Sequence, residues 1–277
     1  MRAIPAGDRL EAMTAHPLPI IHDGDHGADD FVATLLFAAW PEAFECLGVT
    51  TVFGNTTARQ AARNAGAALA MAGRPDLAVR SGCRAPLMSP EEGDGRIFGA
   101  DGLGGVAIPY PAQQDFSENA VRWMAETIKA ASRPVTLCLT GPMTNAASLL
   151  RDHPGVVGNI AGIVAMGGCL GPLGPQRKQG NMTPFAEFNI YMDPHAADAV
   201  LTSGLPVTLL PLDLTNQFVF TPERQQRLLD RLNHETGRLL TAIMRSGERY
   251  SMPGFGLAGA ALHDQTVPLY LRQPDLF

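Results

Sequence analysis

Short apolar runs alternate with longer amphipathic stretches along the chain. Residues 18–23 (LPIIHD) read as a buried strand, and 29–40 (DDFVATLLFAAW) as a helix ended by Pro41. The alternation continues with strands at 44–54, 77–82, 134–141, 160–168 and 205–215, and helices at 56–73, 117–132, 143–154 and 193–204. From Thr221 onward the pattern is helical. The strands are apolar throughout rather than at every second position, which suits strands covered on both faces. Such strand–helix repetition predicts an α/β fold with a mostly parallel central sheet flanked by helices. Residues 1–17 read as a loose lead-in and 18–277 as a single domain, with polar or glycine-rich loops near 88–109 and 169–186. In sheets of this kind ligands bind at the C-terminal ends of the strands.

Composition narrows the function classes. The net charge is −6, with only two lysines, Lys129 and Lys178, so a basic surface for nucleic acid is not expected. No apolar run reaches the ~20 residues of a membrane span, and residues 1–17 carry charges and prolines where a signal peptide needs an apolar core. The expectation is a cytoplasmic protein with no membrane partner. Cys46, Cys83, Cys138 and Cys169 form no C-x-x-C pair and read as reduced thiols rather than a zinc site.

The candidate chemistry starts at 19–31, PIIHDGDHGADDF, which places Asp23, Asp25, Asp29 and Asp30 directly after a buried strand. Gly24 and Gly27 allow a tight turn there. Acids at a helix start gain from the helix dipole, which accounts for Asp29 and Asp30 but not for all four. A hard divalent cation accounts for the set, since Ca²⁺ and Mg²⁺ take carboxylate and carbonyl oxygens. No clustered His or Cys argues for zinc. Two loops are placed to join: VTLCLTGPMTN, a strand ending at Thr140, and ALHDQTV, with His263 beside Asp264. Alone, His263 reads more often as a satisfied core or surface histidine than as a functional one. In GNMTPFAEFNIYMDPHAA (180–197), Asn181, Glu187 and Asn189 alternate with Phe185 and Phe188. Amides and a carboxylate with aromatic flanks suit a sugar; a turn-rich surface loop is the plain alternative.

Taken in order, these pieces resemble the inosine-uridine-preferring nucleoside hydrolases. The family's D-x-D-P-G-x-D-D reads Asp23-Gly24-Asp25-His26-Gly27-Ala28-Asp29-Asp30 here. VFGN (52–55), GADGLGG (99–105), TGPMTNAA (140–147), MGG (166–168), AEFNIYMDPHAA (186–197) and HD (263–264) follow in family order. The resemblance implies hydrolysis of the N-glycosidic bond of ribonucleosides to free base and ribose, in nucleoside salvage, by a homodimer or homotetramer. It implies Ca²⁺ held by the carboxylates of Asp25, Asp30 and Asp264 and the carbonyl of Thr140. Asp25 would also be the general base, His263 a proton donor to the leaving base, and Asp23 a support from behind. Asp29, Asn55, Asn181, Glu187 and Asn189 would grip the ribose.

The chain departs from the pattern in several places. His26 replaces the family proline, either as a tolerated loop substitution or as a residue that tunes the site or reaches substrate. Phe98 stands where the family often has histidine, which favours a more apolar leaving group. The stretch CLGPLGPQRKQG (169–180) is longer than the resemblance implies, as a lid or a surface insertion. The chain ends at PDLF where the resemblance implies a further strand and helix. Two rivals remain open. One is a nucleoside- or ribose-binding protein with catalysis lost. The other is a D-x-D phosphatase, which lacks its expected Ser or Thr at Gly27.

Overall fold

The computed structural model describes residues 16–88, 98–111, 116–171 and 180–277. Most of the expected lead-in and the Arg177-Lys178 part of the long loop lie outside the described residues. The strands are β1 (Leu18–Gly24), β2 (Phe44–Thr51), β3 (Val79–Ser81), β4 (Val135–Leu139), β5 (Ile160–Met166) and β6 (Val207–Leu210). They form one six-stranded sheet in the order β3-β2-β1-β4-β5-β6, every pairing parallel. This is the α/β architecture expected from the alternating pattern.

Helices α1 (Ala28–Ala39), α2 (Ala58–Met71), α3 (Ala120–Ala130) and α4 (Thr144–Asp152) are followed by the short α5 (Phe188–Met192) and α6 (Pro194–Leu201). Successive strand residues point to opposite faces and both faces are apolar. Ile21, Leu137 and Ile163 pack under Met124 and Ile128 of α3, Leu149 of α4 and Val200 of α6. Ile20, Cys138 and Val164 face the other way, with Phe37 of α1. Burial on both faces is why these strands read as unbroken apolar runs.

The expected strand at 205–215 stops at Leu210. Pro211 has no N–H to donate to a ladder, and Leu212–Thr215 turns into a short helix, α7. The C-terminal region is mostly helical, as α8 (Pro222–Arg231), α9 (His234–Arg245), α10 (Glu248–Phe255) and α11 (Thr266–Arg272). It also holds a small antiparallel pair, β7 (Val219–Phe220) with β8 (Ala260–Ala261), which the helical reading does not anticipate. No helix among the described residues is long and apolar enough to cross a membrane.

Leu137 lies fully buried in a central strand. Leu137→Ala is expected to cost about 2–5 kcal/mol, read as a lowered urea midpoint at unchanged m-value.

Candidate active site

The sheet order reverses between β1 and β4, so the chain leaves the two strands in opposite directions. A crevice opens at the C-terminal ends of such a pair. The loop after β1 brings Asp25 and the start of α1 to it, and the turn after β4 brings Thr140. Asp264, just beyond β8, comes to the same place from far along the chain.

Asp25, Asp30 and Asp264 are buried, as is Thr140. Asp30 sits in the first turn of α1, where Oδ2 accepts from Gly27 N at 3.0 Å and Oδ1 from the Thr140 hydroxyl at 2.5 Å. Both Asp25 oxygens are held by Asn55: Oδ2 by its backbone N–H at 2.5 Å and Oδ1 by its Nδ2 at 3.1 Å. Gly54 makes this clamp possible. Its φ is +156°, and a Cβ there would overlap the Asp25 carboxylate. Asp23 points elsewhere, accepting from Thr50 Oγ1 at 2.6 Å and Asn145 Nδ2 at 2.7 Å.

Beside these acids lies a cleft of about 600 Å³. Asp29, Asn55, Asn181, Glu187 and Asn189, the five residues expected at a ribose, all line it, together with Thr140, His263 and Asp264. Glu187 has a structural task as well. It caps α5, accepting from the backbone N–H groups of Asn189 (2.9 Å), Ile190 (3.1 Å) and Gly168 (3.0 Å). Asn189 Nδ2 donates to the carbonyls of Thr140 (3.3 Å) and Met166 (3.1 Å), tying the third loop to the second. His263 Nδ1 pairs with Thr215 Oγ1 at 2.7 Å. Of the two phenylalanines expected to flank a sugar, Phe188 lines the cleft, whereas Phe185 is 76% exposed. Phe98 also lines it.

The electrostatics are one-sided. No Lys or Arg among the described residues lines the cleft. Carboxylate oxygens of Asp29, Asp30 and Asp264 lie within 4.8 Å of one another. Two full charges at that separation repel by about 3–4 kcal/mol at an effective dielectric of ~20. Burial and neighbouring carboxylates therefore hold Asp25 and Asp264 well above the ordinary range, and burial with Asp29 nearby pushes Asp30 to about 7. Burial alone raises Asp23 to about 6 and Glu187 to about 7, and lowers His263.

Asp29 Oδ1, Asn55 Oδ1 and Asn181 Oδ1 are buried acceptor oxygens with no partner, and all three residues line the cleft. Clustered carboxylates and unsatisfied acceptors fit an oxygen-seeking cation with hydroxyl donors next to it. The tightest grouping takes in Asp29 where the resemblance implies Asp25, whose oxygens are both occupied by Asn55.

His26 does not line the cleft. Its ring is buried, with Nδ1 3.0 Å from the Gly24 carbonyl and Nε2 3.0 Å from Thr34 Oγ1. Its φ is +27°, the single positive value outside glycine among the described residues. Proline, fixed near φ −65°, cannot occupy this backbone. The supporting contacts of Thr34, Thr50 and Asn145 carry no signal that marks them in the sequence, although Asn145 stands inside the TGPMTN motif.

The profile of the inosine-uridine preferring nucleoside hydrolase family matches residues 20–277. A pyrimidine-specific ribonucleoside hydrolase, RihA, of Salmonella agona is 39% identical over 263 residues, covering 94% of this chain and 81% of that protein. The structure of a purine-preferring ribonucleoside hydrolase from Gardnerella vaginalis superposes with a TM-score of 0.84 at 32% identity, over 93% of this chain and 81% of that one. A plant nucleoside hydrolase gives a TM-score of 0.83 at 28% identity, over 94% and 80%. The chain belongs to the inosine-uridine preferring nucleoside hydrolase family and is a ribonucleoside hydrolase.

A carboxyl whose folded pKa is raised favours the fold at low pH and loses that contribution as pH climbs through the folded value. Asp23 at about 6, with Asp30 and Glu187 at about 7, sets the window between ~4, the unfolded value, and those values. In EDTA the melting temperature should therefore fall between pH 5 and pH 7.5, and a divalent cation should restore it at pH 7.5. A flat profile in EDTA would contradict the assignment of buried, uncompensated carboxyls.

Proposed function

We propose that the enzyme hydrolyses the N-glycosidic bond of ribonucleosides to free base and ribose, with Ca²⁺ as its cation, in the cytoplasm. The observation that carries the reading is the group of Asp29, Asp30 and Asp264 carboxylates, the last two buried, beside a cleft lined by unsatisfied acceptor oxygens. The carboxylates of Asp25, Asp30 and Asp264 and the carbonyl of Thr140 would hold the ion, Asp25 through the lone pair each oxygen keeps beyond its contact with Asn55. Bound there, a hard cation supplies charge neutralisation, an anchor for sugar hydroxyls and a water of lowered pKa.

The chain's own residues do the rest. Asp25, fixed at both oxygens by Asn55, takes the proton of the attacking water as general base. Asp29 and Asn181 offer free acceptor oxygens to ribose hydroxyls, and Asn55, Glu187 and Asn189 complete that wall. Fixing the ring near the water is a proximity gain. Glycosidic cleavage builds positive charge on the sugar, and surrounding carboxylates stabilise it. At pH 7 His263 is neutral because burial lowers its pKa. With the Thr215 hydroxyl donating to Nδ1, Nε2–H donates a hydrogen bond to the departing base; passing the proton itself requires the imidazolium form.

The test is ribose release from uridine, cytidine and inosine, with Ca²⁺ and with EDTA. Turnover is expected with Ca²⁺ and not with EDTA. Asp25→Ala should lower kcat by on the order of 10³-fold or more, since it removes both base and ligand. Normal turnover in that variant would overturn the role of Asp25. Nucleoside binding by the unaltered protein with no ribose released would instead mark a binding protein.

A further inference from the structure

Beyond the cleft, a line of five contacts runs through the protein interior. Asp30 Oδ1 accepts from the Thr140 hydroxyl at 2.5 Å. Thr140 Oγ1 lies 2.8 Å from His22 Nε2, and His22 Nδ1 lies 3.0 Å from Thr34 Oγ1. Thr34 Oγ1 is also 3.0 Å from His26 Nε2, and His26 Nδ1 is 3.0 Å from the Gly24 carbonyl. Every side chain in the line is 0–1% exposed. It crosses from the Thr140 turn to β1, from β1 to α1, and back to the loop that follows β1. One end rests on the carboxylate of Asp30, the other on the residue that precedes Asp25.

We propose that His22, Thr34 and His26 are positioning residues, a relay that holds Thr140 and, through it, the Asp30 carboxylate in the geometry the cation needs. This rests on the cation reading given above. The plain alternative is a set of buried polar groups that satisfy one another and nothing more. Three features argue for the relay. The Thr140 hydroxyl has one hydrogen, and donating it to Asp30 requires its oxygen to accept from His22 Nε2–H, so the imidazole fixes the hydroxyl's direction. His22 Nδ1 must then accept, and among the described residues the hydroxyl within reach is that of Thr34. His26 keeps a positive φ of 27°, a conformation uncommon outside glycine; its ring contacts to Gly24 and Thr34 pin it there. The proline of the family motif has neither the ring nor access to that φ, so the relay belongs to this chain's departure from the motif. Gly24 is part of the same construction. A Cβ there would overlap Asp30 Oδ1 and Thr140 Oγ1 and lie 3.3 Å from the His26 ring.

Thr34 is the hub, because its hydroxyl lies 3.0 Å from both imidazoles and its one hydrogen goes to one of them at a time. Thr34→Val removes it at nearly unchanged shape, and Thr34→Ser keeps it. Calorimetric titration of the full chain with CaCl₂ is expected to show Ca²⁺ affinity weakened at least ~10-fold in the valine variant, the size of effect known for loss of a ligand's own partner, here passed on through His22. The serine variant should stay within about 2-fold of the parent. With uridine, the valine variant should lose kcat while KM changes little. Ring ¹⁵N NMR adds a measurement that needs no variant: Ca²⁺ should shift the His22 and His26 nitrogens of the parent together. Parent-like Ca²⁺ affinity in Thr34→Val, equal loss in Thr34→Ser, or unmoved ring nitrogens in a parent that binds Ca²⁺ would each overturn the relay. A parent that binds no Ca²⁺ would overturn the cation reading itself, and the relay with it.

Discussion

The fold gathers several carboxylates with little water at the point where β1 and β4 part company. Mutual repulsion of about 3–4 kcal/mol per close pair is comparable to a good share of a domain's net stability. Each neighbouring feature answers that strain. Asn55 offers two donors to Asp25, Gly27 N and the Thr140 hydroxyl serve Asp30, and Thr50 with Asn145 serves Asp23. Gly54 lacks a side chain because the Asp25 carboxylate needs the space. What these donors leave over is negative charge and free acceptor oxygens on the cleft side. That remainder gives a cation and a polyhydroxyl ligand something to bind.

The same constraint explains what could be read from the sequence. Strands buried on both faces leave unbroken apolar runs, so the parallel sheet was legible from β1 to β6. The acids were legible because charge arriving straight after a buried strand is costly and needs a reason. Element ends were less legible. Pro211 cuts the last sheet strand short, and the brief α5 exists because Glu187 caps it, a use of that side chain that pattern alone does not reveal. The pair β7–β8 escaped because two-residue strands carry almost no periodicity. His22 and Thr34 were invisible for a different reason. Thr34 is a single polar residue in an apolar run and His22 ends one beside Asp23, and the partner of each is set only when β1, α1 and the Thr140 turn dock. His26 was visible as an anomaly, but the direction of its ring was not.

The cleft is chemically divided, and the division bears on what the family can vary. Its polar lining is made of groups whose positions are locked by backbone: Asn55 by the turn after β2, Glu187 and Asn189 by the start of α5, Asp29 by the start of α1. Its apolar lining comes from Phe98, Phe188, Gly247, Phe255 and Ala261, with Ser251 and His263 as polar members. Relatives named for pyrimidine specificity and for purine preference share this fold and most of this chain's length. A ribose is common to both kinds of substrate, so the locked wall can stay the same while the base changes. Discrimination between bases then falls to the apolar wall. There, aromatic faces contribute stacking area with little directional content. Directional selection requires a side chain that hydrogen-bonds one base and is left unpaired by another. Phe98 offers no such group. Ser251 already accepts from Ala261 N at 3.0 Å, leaving its hydroxyl hydrogen as a donor. On the proposed reading, base selection in this cleft would rest on shape, on stacking, and on two small polar groups among the described residues, Ser251 and His263, rather than on an amide that reads one base edge.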